Sequence, residues 1–171
     1  MARREEAEAG AALWLDEEQQ DAWRGVVKLF TKLPAALDSD LQRTAGLTMY
    51  EYTVLALLSE SDRRTLQMSE LAAGTNSSLS RLSHVVSRLE RRGWVARHVC
   101  PDDGRANQAM LTKSGLAKVV EAAPKHVRAV RELAVDAITR AQLRQLGTAG
   151  VQIGQRIEDR DTQRAASARQ R

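Results

Sequence analysis

Apolar residues recur with helical spacing through most of the chain, and the clearest case lies between residues 79 and 91. Leu79, Leu82, Val85, Val86 and Leu89 follow one another at intervals of three and four, so they form one apolar stripe of a helix. The opposite side carries hydroxyls, an imidazole and guanidiniums, from Ser80, Arg81, His84, Ser87, Arg88 and Arg91. This polar face suits phosphates and base edges, although an arginine-rich face taken alone is more often a solvated surface.

A hairpin is predicted directly after this helix. The helical period stops at Gly93, where a left-handed C-terminal cap is expected. From Trp94 to Val99 a period of two predicts a strand, with Val95 and Arg97 on the same face. The segment from Cys100 to Arg105 is typical of a turn, and residues 107–111 return as a second strand. We therefore expect a hairpin with an arginine at its tip.

Helices and one short strand are predicted before this centre. Asp16 is placed to cap a helix from about Glu17 to Ala45, with a kink at Pro34. Residues 48–51 form a capping box that starts a second helix, which runs to about residue 60. Residues 65–67 are expected to form a strand beside the hairpin, and Ser69 is expected to cap the helix that precedes the polar turn at residues 75–77.

Two more helices are predicted after the hairpin. Helical spacing resumes after Thr112 and continues to about Ala134, with a kink at Pro124. A capping box at residues 139–142 starts a last helix, in which apolar residues recur as far as Ile157. From about Arg160 the residues are polar, and we expect them to be loose.

Composition narrows the class of protein. The chain of 171 residues is 43% hydrophobic and only 4% aromatic, which favours a helical domain with a real core. Its net charge of +4 is unevenly distributed: residues 77–105 contain six arginines and three acids, whereas residues 1–22 contain two arginines and seven acids. Because no apolar run is long enough to span a membrane and no secretory signal is evident, we expect no membrane association and a cytoplasmic protein.

The order of these elements resembles the MarR family of winged-helix transcription regulators over about residues 16–158. The residues that carry the resemblance are Met68-Ser69-Glu70-Leu71-Ala72, Leu89-Glu90-Arg91-Arg92-Gly93-Trp94-Val95, Asp103-Gly104-Arg105 and Leu111-Thr112-x-x-Gly115. The resemblance implies a mainly α fold with a small β-hairpin wing. It places a winged helix-turn-helix DNA-binding domain at residues 47–112, between helical dimerisation segments at residues 16–46 and 113–160. A flexible extension (1–15) and a loose tail (161–171) complete this expected organisation.

The resemblance also implies a homodimer that binds an inverted repeat in double-stranded DNA, most simply as a repressor. The candidate DNA contacts are Ser77, Ser78, Ser80, Arg81, Ser83, His84, Arg88 and Arg105. Arg81 and Arg88 are the candidates for guanine contact, while Arg105 would enter a minor groove with support from Asp103 and Asp102. Arginine, serine and histidine side chains supply the hydrogen-bond donors that such contacts need.

Members of the family bind phenolic acids and similar anions between the dimer helices and the winged domain. Trp23, Arg24, Tyr50 and Tyr52 have the residue types and positions that could line such an effector pocket, although each type is more often core or surface. Cys100 lies beside the wing, and a redox role there is a weaker hypothesis.

Other classes of function have less support in the sequence. Three scattered histidines give no metal-ligand spacing, and we expect neither a metal nor a cofactor. There is no Ser/His/Asp set at suggestive spacing and no glycine-rich phosphate loop, so an enzyme is not expected. The alternative that remains open is a protein-interaction module on a winged-helix fold, with weak or lost DNA binding.

Overall fold

A computed structural model describes residues 14–99 and 107–169 of the chain. In those ranges the helices are α1 (Glu17–Ala45), α2 (Met49–Glu60), α3 (Met68–Gly74), α4 (Leu79–Arg91), α5 (Lys113–Val130) and α6 (Arg140–Arg169). The strands are β1 (Thr65–Gln67), β2 (Val95–Val99) and β3 (Asn107–Leu111). The protein is therefore mainly helical with one small sheet, as the sequence predicted. None of the described helices is long and apolar enough to cross a membrane.

The three strands form an antiparallel sheet in the order β1-β3-β2. Thr65 lies opposite Met110, and Val95 lies opposite Leu111. The predicted strand at residues 65–67 and its pairing with the hairpin are both confirmed. Because β3 lies between the other two strands, the sheet joins the hairpin to the segment that precedes α3.

The core lies in a unit that extends to His126, and a second compact unit begins at Val127. Fully buried side chains from α1, α2, α3 and α4 meet in this core, and the largest apolar ones are Leu41, Leu47, Leu55, Leu58, Leu71, Leu82 and Leu89. Ala109 of β3 and Ala122 of α5 close the cluster. Burial of this apolar surface is the main stabilising contribution to the fold, and it leaves the polar side of α4 in solvent.

The predicted ends of the first two helices are confirmed. The side chain of Asp16 accepts a hydrogen bond from the backbone of Gln19 at the start of α1, which continues through Pro34. Gly46 ends α1 with a φ of 63°, a left-handed conformation that glycine adopts without a steric penalty. The capping box at residues 48–51 starts α2 as expected. Gly93 likewise has a positive φ of 72° after α4.

Two expectations near the helix-turn-helix were wrong. Ser69 does not cap α3, which begins at Met68, two residues earlier than a Ser69 cap would allow: the backbone N–H of Gln67 donates to Glu70 at 2.9 Å. This bond closes the first turn there, and Met68 is buried inside it. Leu79 does not belong to the apolar stripe. It is the first residue of α4 and remains 55% exposed, so the buried stripe begins at Leu82.

The two helices after the hairpin both depart from expectation. The α-helical geometry of α5 stops at Val130 and a π-helical turn follows at residues 131–135, whereas the predicted α-helix, kinked at Pro124, continued to about Ala134. The capping box at residues 139–142 is confirmed by a bond from the Gln142 N–H to the Thr139 hydroxyl. Residues 161–169 were expected to be loose, yet α6 continues to Arg169. That segment contains alanine, arginine and glutamine and no proline or glycine, so its intrinsic helix propensity is high.

Candidate nucleic-acid interface

The polar face of α4 lies in solvent because the opposite face is fully used by the core. Ser78 caps the helix, and its hydroxyl accepts a hydrogen bond from the backbone N–H of Arg81 at 3.2 Å. The stripe from Leu82 to Leu89 is buried. The side chains exposed on the other side are Ser80, Arg81, His84, Arg88 and Arg91. The predicted orientation of this helix is therefore confirmed.

Arg81 lies over an aromatic ring near the start of α4. Its guanidinium carbon is 4.9 Å from the centroid of the Tyr50 ring, which is a cation–π contact. In the described ranges no hydrogen bond or ion pair engages this guanidinium. The N–H groups along the edge of the guanidinium therefore remain available for an acceptor in DNA.

The turn between α3 and α4 is closed by three hydroxyl groups. The Tyr50 hydroxyl is hydrogen-bonded to Ser77 at 2.5 Å and to Thr75 at 3.1 Å, and these two are bonded to each other at 2.9 Å. The backbone N–H of Ser77 donates to Ala72 at 2.9 Å. The backbone donor of Ser77, which was predicted to contact phosphate, is thus engaged within the protein, and so is its hydroxyl oxygen. Ser78 remains exposed, and its hydroxyl can still donate because it only accepts in the cap.

Arg88 is bonded to a buried carboxylate instead of standing free. Its Nε donates to Glu51 Oε1 at 2.7 Å, and Glu51 is only 2% exposed. Arg92 is 3.8 Å from the same oxygen and also donates to the backbone carbonyl of Gly46 at 3.1 Å. These contacts attach the last turns of α4 to the start of α2. Arg88 therefore anchors α4 through its Nε, and its guanine contact stays a prediction that would use the Nη groups.

Glu51 keeps its charge in spite of its burial. Burial by itself raises the pKa of this carboxyl, but the hydrogen bond from the Thr48 backbone and the contacts with Arg88 and Arg92 outweigh it. The net effect lowers the pKa of Glu51 below its ordinary value. A carboxylate that is ionised and bonded on both oxygens can hold two helices in a fixed relation.

Arg97 of β2 attaches the hairpin to α4 on the other side. Its Nη2 donates to the carbonyl of Ser83 at 2.8 Å and to the hydroxyl of Ser87 at 2.9 Å. Its Nε is 3.1 Å from Glu90 Oε2, within ion-pair distance but without the alignment of a hydrogen bond. The Ser83 hydroxyl also accepts from Arg97, at 3.2 Å. Ser83 was predicted to face the DNA groove, and the structure turns it to the hairpin.

The predicted wing tip lies outside the described residues. Arg105, its proposed supports Asp102 and Asp103, and Cys100 all belong to that segment. The two strands that flank it, β2 and β3, are described and correctly paired.

The four candidate effector residues have separate surroundings. Arg24 pairs with Asp21 of its own helix at 2.7 Å, and Trp23 is 54% exposed. Tyr50 faces the α3–α4 turn, whereas Tyr52 packs against His126 with the two rings tilted by 50° and their centroids 4.8 Å apart. In the part of the chain that is described, no hydrogen bond, ion pair or ring contact joins any two of the four. Among all the residues that the structure describes, no group of three or more His, Cys, Asp or Glu side chains is placed to hold a metal ion.

Three residues important to this surface were missed in the sequence. Tyr50 was considered only as an effector contact, and Glu51 only as a capping residue. Arg97 shares a strand face with Val95, and this was a usable signal, since an arginine on an inward face must find a partner. The contact between Glu51 and Arg88 spans 37 residues, and periodicity carries no information over that distance.

Comparison with known proteins gives a consistent result. The sequence model of the MarR family matches residues 45–106. The structure of Sco3205, a MarR family transcriptional regulator from Streptomyces coelicolor in complex with DNA, has a TM-score of 0.81 and 42% identity, and covers 84% of this chain and 94% of that one. AbsC, a MarR family transcriptional regulator from the same organism, has a TM-score of 0.79 and 38% identity, with 85% and 97% covered.

A curated repressor is also similar. The transcriptional repressor MprA of Escherichia coli K12 is 26% identical over 106 residues, which are 61% of this chain. The match covers 60% of that repressor's own length. The similarity therefore concerns part of MprA and not the whole of it.

Proposed function

Because this chain belongs to the MarR family of transcription regulators, we propose that it is a homodimeric repressor that binds an inverted-repeat operator through α4 and the hairpin. The observation that carries the proposal is the exposed polar face of α4, on which the guanidinium of Arg81 has no polar partner among the described residues. A regulator of this class acts by binding and not by catalysis, and we assign no enzymatic activity to it. The complex of Sco3205 with DNA supports the proposal.

The proposed contacts divide by type. Arg81 would donate to a guanine in the major groove, where a bidentate pair contributes ~1–3 kcal/mol of discrimination. Ser80 and His84 would contact base edges beside it, and Ser78 would contact a phosphate. We keep Arg105 as the proposed minor-groove contact, with Asp103 and Asp102 as its supports. Arg88 would fix α4 through the bond from its Nε to Glu51, and its Nη groups would contact a guanine.

Dimerisation is proposed because large apolar side chains stand exposed on both end helices. They include Trp23, Val27 and Phe30 on α1 and Leu146, Val151, Ile153 and Ile157 on α6. Exposed apolar surface of this extent favours an interface, and a second copy of the chain is the partner that the closed symmetry of most oligomers suggests. Two copies of α4 would then lie about one turn of DNA apart, ~34 Å, which requires an operator with inverted-repeat symmetry.

Repression and its release form the last part of the proposal. The similarity to MprA, a transcriptional repressor, favours repression over activation. Release would come from a small anionic or phenolic effector that favours a spacing of the two α4 helices unsuited to the operator. Trp23, Arg24 and Tyr52 remain the proposed contacts for it, while Tyr50 is already bonded to the α3–α4 turn.

Added 4-hydroxybenzoate should then lower operator affinity and change tryptophan fluorescence, and Trp23→Phe should weaken both effects.

The proposal is tested by a fluorescence-anisotropy titration of the purified protein. The probes are duplexes from the DNA upstream of its own gene and a shuffled duplex of the same composition, each at several salt concentrations. Arg81→Ala and Arg105→Ala are compared with Arg144→Ala, which removes an equal charge from an exposed position on α6. All three variants should weaken nonspecific binding only modestly, because each removes a single positive charge, and the loss of one charge lowers the salt slope by about one unit or less.

We expect the parent protein to bind one upstream duplex far more tightly than the shuffled duplex. Arg81→Ala and Arg105→Ala should each remove most of this preference, whereas Arg144→Ala should leave it unchanged. Equal affinity for all duplexes, with no difference among the variants, would contradict the proposal. That result would favour a protein-interaction role for the same fold.

A further inference from the structure

Tyr50 connects the helix-turn-helix turn to the arginine at the start of α4. The guanidinium carbon of Arg81 lies 4.9 Å from the centroid of the Tyr50 ring. The Tyr50 hydroxyl is hydrogen-bonded to Ser77 and Thr75 in the turn. Tyr50 belongs to α2, so neither contact follows from the local geometry of α4. Arg81 is therefore held by a residue that belongs to neither of the two helices of the motif.

The ring of Tyr50 is itself fixed in place. Tyr50 is half-buried and packs against the hydrophobic core. Thr75, one of the two partners of its hydroxyl, donates to the carbonyl of Leu71 at 2.8 Å, so the bonded group is attached to the end of α3. A ring that is packed at one end and bonded at the other is a rigid support, whereas a free arginine side chain samples many rotamers.

The geometry of the contact leaves Arg81 able to bind. The guanidinium lies over the face of the ring, and among the described residues none of its five N–H donors has a hydrogen-bond acceptor. Arg88 on the same helix differs, because its Nε is already bonded to Glu51. Arg81 thus combines restricted motion with unused donors, a combination that favours a contact requiring defined geometry.

We propose that Tyr50 is a specificity-determining positioning residue, which holds the Arg81 guanidinium in the orientation that a guanine contact needs before DNA arrives. This inference rests on the proposed function, since it requires that Arg81 contact a base. Preorganisation increases affinity by reducing the side-chain freedom lost on binding. A cation–π contact at an exposed site corresponds to about a two- to fivefold effect, so the expected change is a moderate loss of discrimination at one base pair.

The test uses two variants of Tyr50 that separate the ring from the hydroxyl. Tyr50→Phe keeps the ring and removes the bonds to Ser77 and Thr75, while Tyr50→Leu removes the ring and keeps an apolar side chain. The DNA is the highest-affinity duplex selected from a randomised library, together with a set in which each base pair is changed in turn. Arg81→Ala first identifies the base pair at which discrimination depends on Arg81, and thermal unfolding shows whether each variant folds.

We expect Tyr50→Leu to lower discrimination at that base pair by about two- to fivefold and to leave the other base pairs unchanged, with Tyr50→Phe close to the parent. The double variant Tyr50→Leu/Arg81→Ala should lose no more than Arg81→Ala alone. A merely structural role would weaken binding to every duplex equally. In the protein without DNA, the Nε–Hε resonance of Arg81 should show a ring-current shift that Tyr50→Phe keeps and Tyr50→Leu abolishes.

The inference is overturned if Tyr50→Leu retains discrimination at the Arg81-dependent base pair, or if it weakens all duplexes alike. It is also overturned if the ring-current shift is absent from the parent protein. Failure of the proposed function looks different: no duplex would be preferred from the library, or Arg81→Ala would change discrimination at no base pair. In that case the role of Tyr50 is withdrawn with the base contact on which it depends.

Discussion

Two neighbouring residues at the start of α2 contact two arginines that are two helical turns apart on α4. Tyr50 lies under Arg81, and Glu51 is bonded to Arg88. Seven residues of α-helix span about 10 Å, so the first turn of α2 supports both halves of the exposed face of α4. Gly46, which ends α1 just before α2, accepts a hydrogen bond from Arg92 through its backbone carbonyl. The end of α1 is therefore also attached to the end of α4.

At this scale we predict that Glu51→Gln destabilises the protein at neutral pH by about 1–3 kcal/mol. The lower half of the range is favoured because Arg88 is 45% exposed and solvent screens the pair. The folded-state pKa of Glu51 lies below its ordinary value of 4.5, so the stabilisation is present above pH 4.5 and is lost as the pH falls through the lowered pKa. Urea unfolding of the parent and the variant at pH 7 and at successively lower pH measures this difference.

Glu121→Gln is the matched control. The Glu121 carboxylate is bonded to Lys125 and Lys118, and these contacts lower its pKa. That carboxylate is half exposed, so water replaces its contacts readily and the substitution should change the unfolding midpoint little. Equal effects of the two substitutions at pH 7, or a Glu51 effect that does not decline with pH, would show that the buried carboxylate does not hold α2 and α4 together.

At the scale of elements, the start of α5 is fixed to the residues just before β2. Thr112 donates from its backbone to the Trp94 carbonyl at 3.0 Å and from its hydroxyl to the Gly93 carbonyl at 2.7 Å. The Gly115 N–H donates to the same hydroxyl at 3.0 Å. A Cβ on Gly115 would lie 2.0 Å from the Trp94 carbonyl oxygen. This close approach is the physical reason for glycine in the Leu-Thr-x-x-Gly motif.

We therefore predict that Gly115→Ala lowers the free energy of unfolding by about 2–3 kcal/mol, because the backbone must move to admit the methyl group. Gly147→Ala is the comparison, since a Cβ at that position in α6 meets no atom within 4 Å. It should raise stability by about 0.5–1 kcal/mol through helix propensity alone. Thermal unfolding of both variants gives the measurement, and a Gly115→Ala protein as stable as its parent would contradict the proposed close approach.

Local signals were sufficient to predict most of the elements. The caps at Asp16, Thr48 and Thr139 and the glycine after α4 are short-range features, and all four were found in the sequence. The start of α3 was misplaced because Ser69 is a residue type preferred at a helix N-cap and Gln67 is not, and only the bond from Gln67 to Glu70 shows the earlier start. The end of α6 was misplaced because polar composition alone does not separate a solvated helix from a loose tail.

The site was harder to predict than the fold. Periodicity identified the exposed face of α4, but it could not say which exposed residues have partners elsewhere in the chain. Arg88 and Ser83 both lie on or beside that face, and both are bonded to other elements, through Glu51 and Arg97. A base-contacting residue needs free donors as well as exposure, and that condition depends on tertiary contacts.

At the scale of the whole molecule, exposed apolar side chains on α1 and α6 are the basis for the proposed dimer. Phe30, which is 68% exposed, is the most exposed of those on α1. We predict that Phe30→Asp shifts the protein toward the monomer at micromolar concentration, because an interface would have to desolvate the new carboxylate. Light scattering coupled to gel filtration measures the mass.

Leu79→Asp is the control for this experiment, since Leu79 is also an exposed apolar residue but lies at the start of α4. It should leave the mass unchanged while lowering DNA affinity through repulsion of the nearby phosphates. A parent protein that is already monomeric at these concentrations would rule out the dimer.

The central claim is that two copies of the chain bind the two halves of one operator, and hydroxyl-radical footprinting on the selected duplex tests it most directly. The account predicts two protected segments related by an inverted repeat, with their centres about 10 base pairs apart. Arg81→Ala should weaken protection of both halves equally. A single protected segment without symmetry, or protection that appears only where random DNA is bound equally well, would contradict the account.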